Sequence, residues 1–339
     1  MIALILFIFS ADAFSAADLS QEKRWSGPIP IRNQMPLYLF FLQMEPDKAC
    51  AVEQNKFNIN AGYSVSNITV SCFTPESSLY NINIDAEVSR ITLDLRYGFS
   101  ENFEAGLEVP YISLSRGYLD NFVEGFEKSI GAITPRSRER QGSNNYNYSF
   151  IYNNQNLISK RNASSGMGDA VLKVKRGILK EEDGSIKPNL SLRSAVKFPT
   201  GKKSDLLGSG EFDYGFGLIA DKSFFKRFCF YCGLNAAFIQ KPSFFSELNL
   251  KKEIISGLAG LEYLLTERVS LVAQITGNST PYPSSGTNAL DEDAFDVGLG
   301  AYYTWKEKKG ISWHFAFTEN INSASSPDVT FDTGWKISF

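Results

Sequence analysis

From Lys56 onward, apolar and polar positions alternate with a period of two. In 186–199 the even positions Ile186, Leu190, Leu192, Val196 and Phe198 are apolar, and Lys187, Asn189, Ser191, Arg193 and Lys197 between them are polar. Phe212, Tyr214, Phe216 and Leu218 alternate with Asp213, Gly215 and Gly217; Phe295, Val297, Leu299, Ala301, Tyr303 and Trp305 alternate with Asp296, Gly298, Gly300 and Thr304. Successive side chains point to opposite faces of a strand, so each stretch predicts a strand with one greasy face and one polar or glycine face. Twelve stretches qualify: 56–67, 80–99, 103–115, 168–180, 186–199, 211–224, 227–240, 251–265, 268–278, 293–305, 311–320 and 328–339. Short and long connections alternate between them. That asymmetry predicts an all-β protein, a transmembrane antiparallel up-and-down β-barrel of about twelve strands, with short periplasmic turns and longer external loops. A soluble barrel would alternate too, with its apolar face inward; strand length and turn asymmetry favour the membrane.

One strand changes phase. Ile82, Ile84, Ala86 and Val88 are apolar at even positions, then Ile91, Leu93, Leu95, Tyr97 and Phe99 at odd ones. A β-bulge at Ser89-Arg90 would keep a single continuous face. Failing that, the upper half of the strand projects beyond the membrane.

The two ends add the compartment. Ile2 to Phe9 is a short apolar core followed by the small residues Ala11-Asp12-Ala13 and Ser15-Ala16-Ala17, which predicts a signal peptide over 1–17. The basic residues that usually precede such a core are missing, which suggests a true start a few codons upstream. The last strand presents Val329, Phe331, Thr333, Trp335, Ile337 and Phe339 on one face. A terminal amphipathic strand ending in an aromatic residue resembles the signal read by the barrel assembly machinery, and makes that machinery an expected partner through Phe339. The mature chain is expected in the bacterial outer membrane after export through the periplasm, with lipid and lipopolysaccharide around a barrel of residues 56–339.

Residues 18–55 precede the barrel. Gly27 to Pro36 is proline-punctuated and cannot be a central strand, and Leu37 to Leu42 is apolar. Three readings stay open: a periplasmic arm under the barrel, a plug in the lumen, or a thirteenth strand. The long external loop 116–167 predicts a short amphipathic helix near 119–131 from the spacing of Leu119, Phe122, Val123, Phe126 and Ile130. It continues with the basic run Arg136 to Arg140 and a hairpin over 145–160 turning near Asn154.

Composition fits this picture. The chain has 339 residues, 34 Lys+Arg against 37 Asp+Glu and a net charge of −3, too balanced for a nucleic-acid binder working through a basic surface. No run approaches the ~18 apolar residues of a membrane helix. Aromatics make up 14%, and Tyr97, Phe99, Tyr303, Trp305 and Trp335 sit at strand ends, where interfacial girdles form.

Candidate chemistry is sparse. The single histidine, His314, shares a face with Ser312, Ala316 and Thr318 and is expected to line the lumen. No motif supplies the acid and oxyanion hole of a hydrolase, so no catalytic residue is assigned. One histidine makes a metal site improbable, and neither a metal nor a cofactor is expected. Cys229 and Cys232 fall on opposite faces of a strand, and export permits a Cys50–Cys72 disulfide if the N-terminal segment reaches the outer end of the lumen. By alternation, the lumen-lining candidates are Asp94, Arg96, Glu104, Glu108, Lys173, Lys175, Arg193, Lys197, Asp213 and His314, with Asp221, Glu262, Asp296, Asp332 and Lys336 on the same face. An acidic strip then opposes a basic one, with pairing expected across the interior. The lumen is either filled by salt bridges or an open, charge-selective channel.

Several stretches resemble a bacterial outer-membrane barrel family defined only as a domain of unknown function. They are Gly27 to Gln34, Leu95-Arg96-Tyr97-Gly98, Glu108-Val109-Pro110-Tyr111, Gly117 to Asp120 with Phe122, Gly166-Met167-Gly168-Asp169, and Val196 to Gly201 followed by Gly208-Ser209-Gly210. The Lys-x-Pro-Thr-Gly block with its later Gly-x-Gly is also similar to barrels encoded in phenol-degradation gene clusters. The resemblance implies the fold and compartment, and adds no reaction. The leading expectation is a passive channel or transporter for small or hydrophobic solutes. The alternatives are a non-conducting structural or assembly barrel and an outer-membrane lipid-modifying enzyme.

Overall fold

The computed structural model describes residues 25–73, 79–119, 146–182, 184–305, 310–321 and 325–339. The expected signal peptide, nearly all of the helix near 119–131 and the basic run at 136–140 lie outside these residues.

The chain forms one antiparallel sheet that closes on itself. Its strands in order are β1 (Phe57–Phe73), β2 (Tyr80–Ser100), β3 (Phe103–Ser115), β4 (Asn147–Tyr152), β5 (Gln155–Lys160), β6 (Ser164–Met167), β7 (Ala170–Leu179) and β8 (Asn189–Phe198). They continue with β9 (Asp213–Phe224), β10 (Phe228–Phe238), β11 (Glu253–Leu264), β12 (Val269–Asn278), β13 (Ala294–Thr304), β14 (Ile311–Asn320) and β15 (Val329–Ser338). Twelve of them make the barrel, in the order β1, β2, β3, then β7 to β15. The seam closes where β15 pairs with β1, from Asn58 opposite Ser338 to Asn67 opposite Val329. Phe57 and the terminal Phe339 complete the seam by exchanging backbone hydrogen bonds of 2.8 and 3.0 Å.

The pleat sorts the residues as the alternation requires. Leu93, Leu95, Leu107, Leu192, Phe216, Leu234, Ile275, Leu299 and Phe315 point outward and are exposed. So many uncovered apolar side chains around a whole circumference are stable only against lipid. At the short-turn end, Phe57 stacks on Phe339 and packs on Tyr97, Phe224 on Phe228, and Trp305 on Trp335, forming an aromatic ring.

Two expectations about this wall need correction. There is no bulge at Ser89-Arg90: the β1–β2 register runs unbroken from Phe57 opposite Tyr97 to Phe73 opposite Asn81, and β1 extends past residue 67. Instead the faces change character. Ile82, Ile84, Ala86 and Val88 point inward and are buried, while Asn81, Asn83 and Asp85 occupy the outward face. That polar outer face belongs beyond the apolar band. The projecting part of β2 carries the hairpin β4–β5, which pairs with it from Tyr80 to Asp85. The hairpin turns at Asn153-Asn154, both at positive φ (48° and 62°), a backbone that asparagine tolerates better than most residues. Residues 164–167, expected as loop, form β6 and pair with β3 above the point where β7 takes over.

Candidate functional site

Residues 25–55 run inside the barrel, up one side and down another. Trp25 lies at the short-turn end among Cys229, Tyr231, Leu258 and Leu264. The N–H groups of Ser26 and Gly27 donate to the Glu262 carboxylate at 3.1 and 3.2 Å, and Tyr231 Oη donates to the same carboxylate at 2.5 Å. Higher up, Ile29 N–H donates to Gln274 Oε1 (2.8 Å) and Gln274 Nε2 returns a bond to Ile29 O (3.0 Å). This two-way bond gives an irregular backbone the partners a strand ladder would have given it. Gln34 then reaches Ser66 Oγ at 3.0 Å, and Asn33 donates to Ser325 O at 2.9 Å, at the long-loop end.

The apex, 35–42, is a tight turn closed by Tyr38 N–H to Met35 O (2.8 Å) and Phe41 N–H to Tyr38 O (3.1 Å). Met35, Leu37, Tyr38, Phe40 and Leu42 are buried. They pack against the inward faces of upper β1 and β2 and against side chains of the long loops: Leu206, Leu207, Phe245, Leu248, Tyr282 and Leu290. Each such side chain stabilises the packing by roughly 1.5–3 kcal/mol relative to exposure. The phase change in β2 follows from this contact, because its inward face is apolar where it meets the apex.

The descending limb, 43–55, enters an ionic network. Glu45 accepts hydrogen bonds from Lys173 (2.5 Å), Arg96 (3.0 Å) and Arg32 (2.5 Å). Asp47 Oδ2 accepts from Arg96 (2.6 Å) and Lys175 (3.0 Å). Arg193 donates to Glu45 O at 2.6 Å. Glu108, with no solvent exposure, takes a bidentate bond from Arg32 and further bonds from Arg90 and Lys173. Asp94 pairs with Arg96 and Lys173, and Glu104 with Lys175. Lower still, Val52 N–H donates to Glu104 at 2.6 Å and Ala49 N–H to Asp221 at 2.6 Å. Where the limb joins the wall, a Cβ on Gly98 would stand 2.2 Å from Glu53 O and 2.4 Å from Val52 O, so only glycine lets the two backbones meet.

All ten candidate residues face inward, but they form three groups. Asp94, Arg96, Glu104, Glu108, Lys173, Lys175 and Arg193 belong to the ionic network. Lys197 and Asp213 sit at the long-loop end. There Lys197 bridges Asp169 (2.8 Å), Asp213 (3.3 Å) and Ser209 Oγ (2.6 Å), and Asp213 accepts from Leu42 N–H (2.9 Å) and Gln240 N–H (2.9 Å). Asp169 also holds the loop after β8 through Gly201 N–H (2.9 Å) and Ser209 N–H (3.2 Å), so the Lys-x-Pro-Thr-Gly block and its later Gly-x-Gly are a clasp over the apex. Further out in that loop, Lys202 hydrogen-bonds Asp205 and holds its carboxyl below the usual range. His314 stands apart, bonded to Asp332 Oδ1 at 2.6 Å and beside Tyr302.

The acidic and basic strips pair as expected, but side by side along the wall rather than across the lumen. Ion pairs run between the neighbouring strands β2, β3 and β7 and through Glu45 and Asp47, because the luminal segment stands between the two walls. On the opposite wall, Asp221 and Glu262 accept backbone N–H groups of that segment instead. The Cys50–Cys72 disulfide is also absent, and none of the four cysteines forms one. The descending limb has returned to the short-turn end before Cys50, whose neighbour Ala49 bonds Asp221, whereas Cys72 tops β1. Cys229 is buried inward and Cys232 is partly exposed, on opposite faces as expected. Arg32, Glu45, Asp47 and Arg90 were missed from the sequence. Their signal is the occurrence of Arg32 and Glu45-Pro46-Asp47 on either side of an apolar run, which no strand pattern explains.

Between the descending limb and β3, β7 and β8 remains a cavity lined by Arg96, Glu104, Lys173, Lys175 and Arg193, with room for water but not for a solute.

The barrel has the same architecture as the crystal structure of the COG4313 outer membrane channel from Pseudomonas putida F1. That likeness has a TM-score of 0.57 at 11% identity and covers 88% of this chain and 100% of that one. The NanC porin (TM-score 0.43, 9% identity, 84% and 98% covered) and the toluene transporter TodX of Pseudomonas putida (0.36, 8%, 88% and 98%) are more remote, and no argument rests on them. No curated protein sequence matches the chain. The likeness to the COG4313 channel supports the closed barrel, whose twelve strands are read from the sheet itself. The model of one family matches residues 2–339, so the chain belongs to that family, described as protein of unknown function DUF3187.

Proposed function

We propose that this protein is an outer-membrane channel for small solutes whose resting state is closed by its own residues 25–55. One observation carries the reading: the segment is hydrogen-bonded to the wall from Glu262 at one end to Asp213 near the other, and the cavity beside its descending limb has room for water but not for a solute. Solute passage then requires the segment to shift or leave. The lipid-facing exterior, the aromatic ring and the Phe339 seam fit insertion from the periplasm by the barrel assembly machinery, with lipopolysaccharide on the loop side. His314 is enclosed in the lumen with Asp332, away from the lipid face, which argues against a lipid-modifying enzyme.

Single-channel conductance in planar bilayers tests the reading. The full chain should stay closed, and a chain lacking residues 25–50 should conduct. Equal conductance in the two would overturn it. The number of anchors favours one second reading, a permanently sealed structural barrel, and a non-conducting deletion variant with intact heat-modifiable mobility would support that instead.

A further inference from the structure

Glu45 and Asp47 are held by the wall as a bound ligand would be. Arg96 and Lys173 meet on Glu45, Arg96 and Lys175 meet on Asp47, and Arg193 donates to the Glu45 carbonyl. All four cations come from barrel strands and both carboxylates from the luminal segment. Glu45 and Asp47 are two residues apart in a limb whose direction Pro46 restricts, so their Cα atoms lie roughly 7 Å apart.

The wall is not neutral without them. Among wall residues alone, the five cations Arg90, Arg96, Lys173, Lys175 and Arg193 stand beside three carboxylates, Asp94, Glu104 and Glu108. Buried cations need counter-charges. If the descending limb moves aside, as the closed-channel reading requires, Arg96, Lys173 and Lys175 are left to share Asp94, Glu104 and Glu108, and Arg193 loses its bond to the Glu45 carbonyl.

We infer that these four side chains form a binding site for the carboxylates of an organic di- or polycarboxylate solute, occupied at rest by the chain's own Glu45 and Asp47. The inference rests on the closed-channel reading and sharpens its solute class. A hydrophobic solute finds apolar walls at the apex and beside Trp25 and Ile29, but mostly charged side chains where the descending limb faces β2, β3, β7 and β8. A carboxylate solute replaces the carboxylates that hold the limb, so binding and release of the limb are one exchange. The guanidinium groups of Arg96 and Arg193 suit carboxylate geometry, and the two lysines add point charges.

The test uses the full chain and citrate as the probe. By calorimetry, the Glu45→Gln/Asp47→Asn double variant should bind citrate at least about tenfold more tightly than wild type, since the internal competitor is gone. Adding Lys175→Gln should reverse most of that gain. Binding no tighter than wild type, or a gain that survives Lys175→Gln, overturns the inference. Should the double variant fail to assemble, the wild-type chain supplies the answer. Citrate should accelerate amide exchange in 43–49 relative to sodium chloride at equal ionic strength, and equal exchange in both salts refutes the site. Neither measurement depends on conductance, so a silent deletion variant would defeat the channel reading without deciding this one.

Discussion

The two halves of the lumen hold the same segment by opposite means. At the long-loop end the apex is embedded in Phe40, Phe245, Tyr282 and Leu290, with aromatic rings edge-on, such as Phe40 to Phe245 at 5.9 Å. Below the apex the limbs are held chiefly by charged hydrogen bonds centred on Glu108, Glu45 and Asp47, with a small apolar cluster around Trp25 at the short-turn end. Apolar packing is tolerant of substitution but hard to exchange for a polar solute. A buried ion network contributes less net stability, because desolvation offsets the attraction, but it can trade one carboxylate for another. The apex is therefore the lock, and the ionic half is where a ligand acts.

The largest effects should come from breaking each half separately. Phe40→Ala should lower the opening free energy of 35–42 by about 3–5 kcal/mol through the cavity it leaves. Glu108→Ala should lower that of 43–52 by about 3–5 kcal/mol, by stranding Arg32, Arg90 and Lys173. Amide exchange read segment by segment distinguishes the two, and identical exchange patterns would erase the proposed division. A smaller effect belongs to Tyr282→Phe, which removes the 2.8 Å bond to Leu37 O and should cost about 1 kcal/mol, confined to the apex. Smaller again is the paired change Glu104→Gln/Lys175→Met, which removes both charges together. It should leave folding near neutral, and a loss as large as that of Glu108→Ala would mean that the network, not the apex, dominates closure. Lys202→Ala, in the exposed part of the clasp loop, should change neither segment measurably, since its partner Asp205 is solvated.

Much of the architecture was legible because the physics is local. Alternation, turn length and the terminal Phe339 placed eleven of the twelve wall strands within a few residues, β1 running on from 67 to Phe73, and parity alone turned every candidate charge inward. The same parity left β2 open between a bulge at Ser89-Arg90 and an upper half that projects beyond the membrane. The bulge follows only on the assumption that one face must stay apolar throughout. The tertiary structure shows that the inward face becomes apolar where Phe40 and its neighbours cover it.

What the sequence by itself determined was the barrel, because a strand's period of two and lipid outside leave little freedom in what faces where. Only the tertiary structure decided that Glu45 and Asp47 meet Arg96, Lys173 and Lys175, and that Cys50 is separated from Cys72. The ion pairs among those join residues 49 to 128 positions apart. They depend on the route an irregular, proline-punctuated segment takes through a closed space. No periodicity encodes that route: it is set by where backbone N–H groups find Glu262, Gln274, Asp213 and Asp221, and where Gly98 lets two backbones touch.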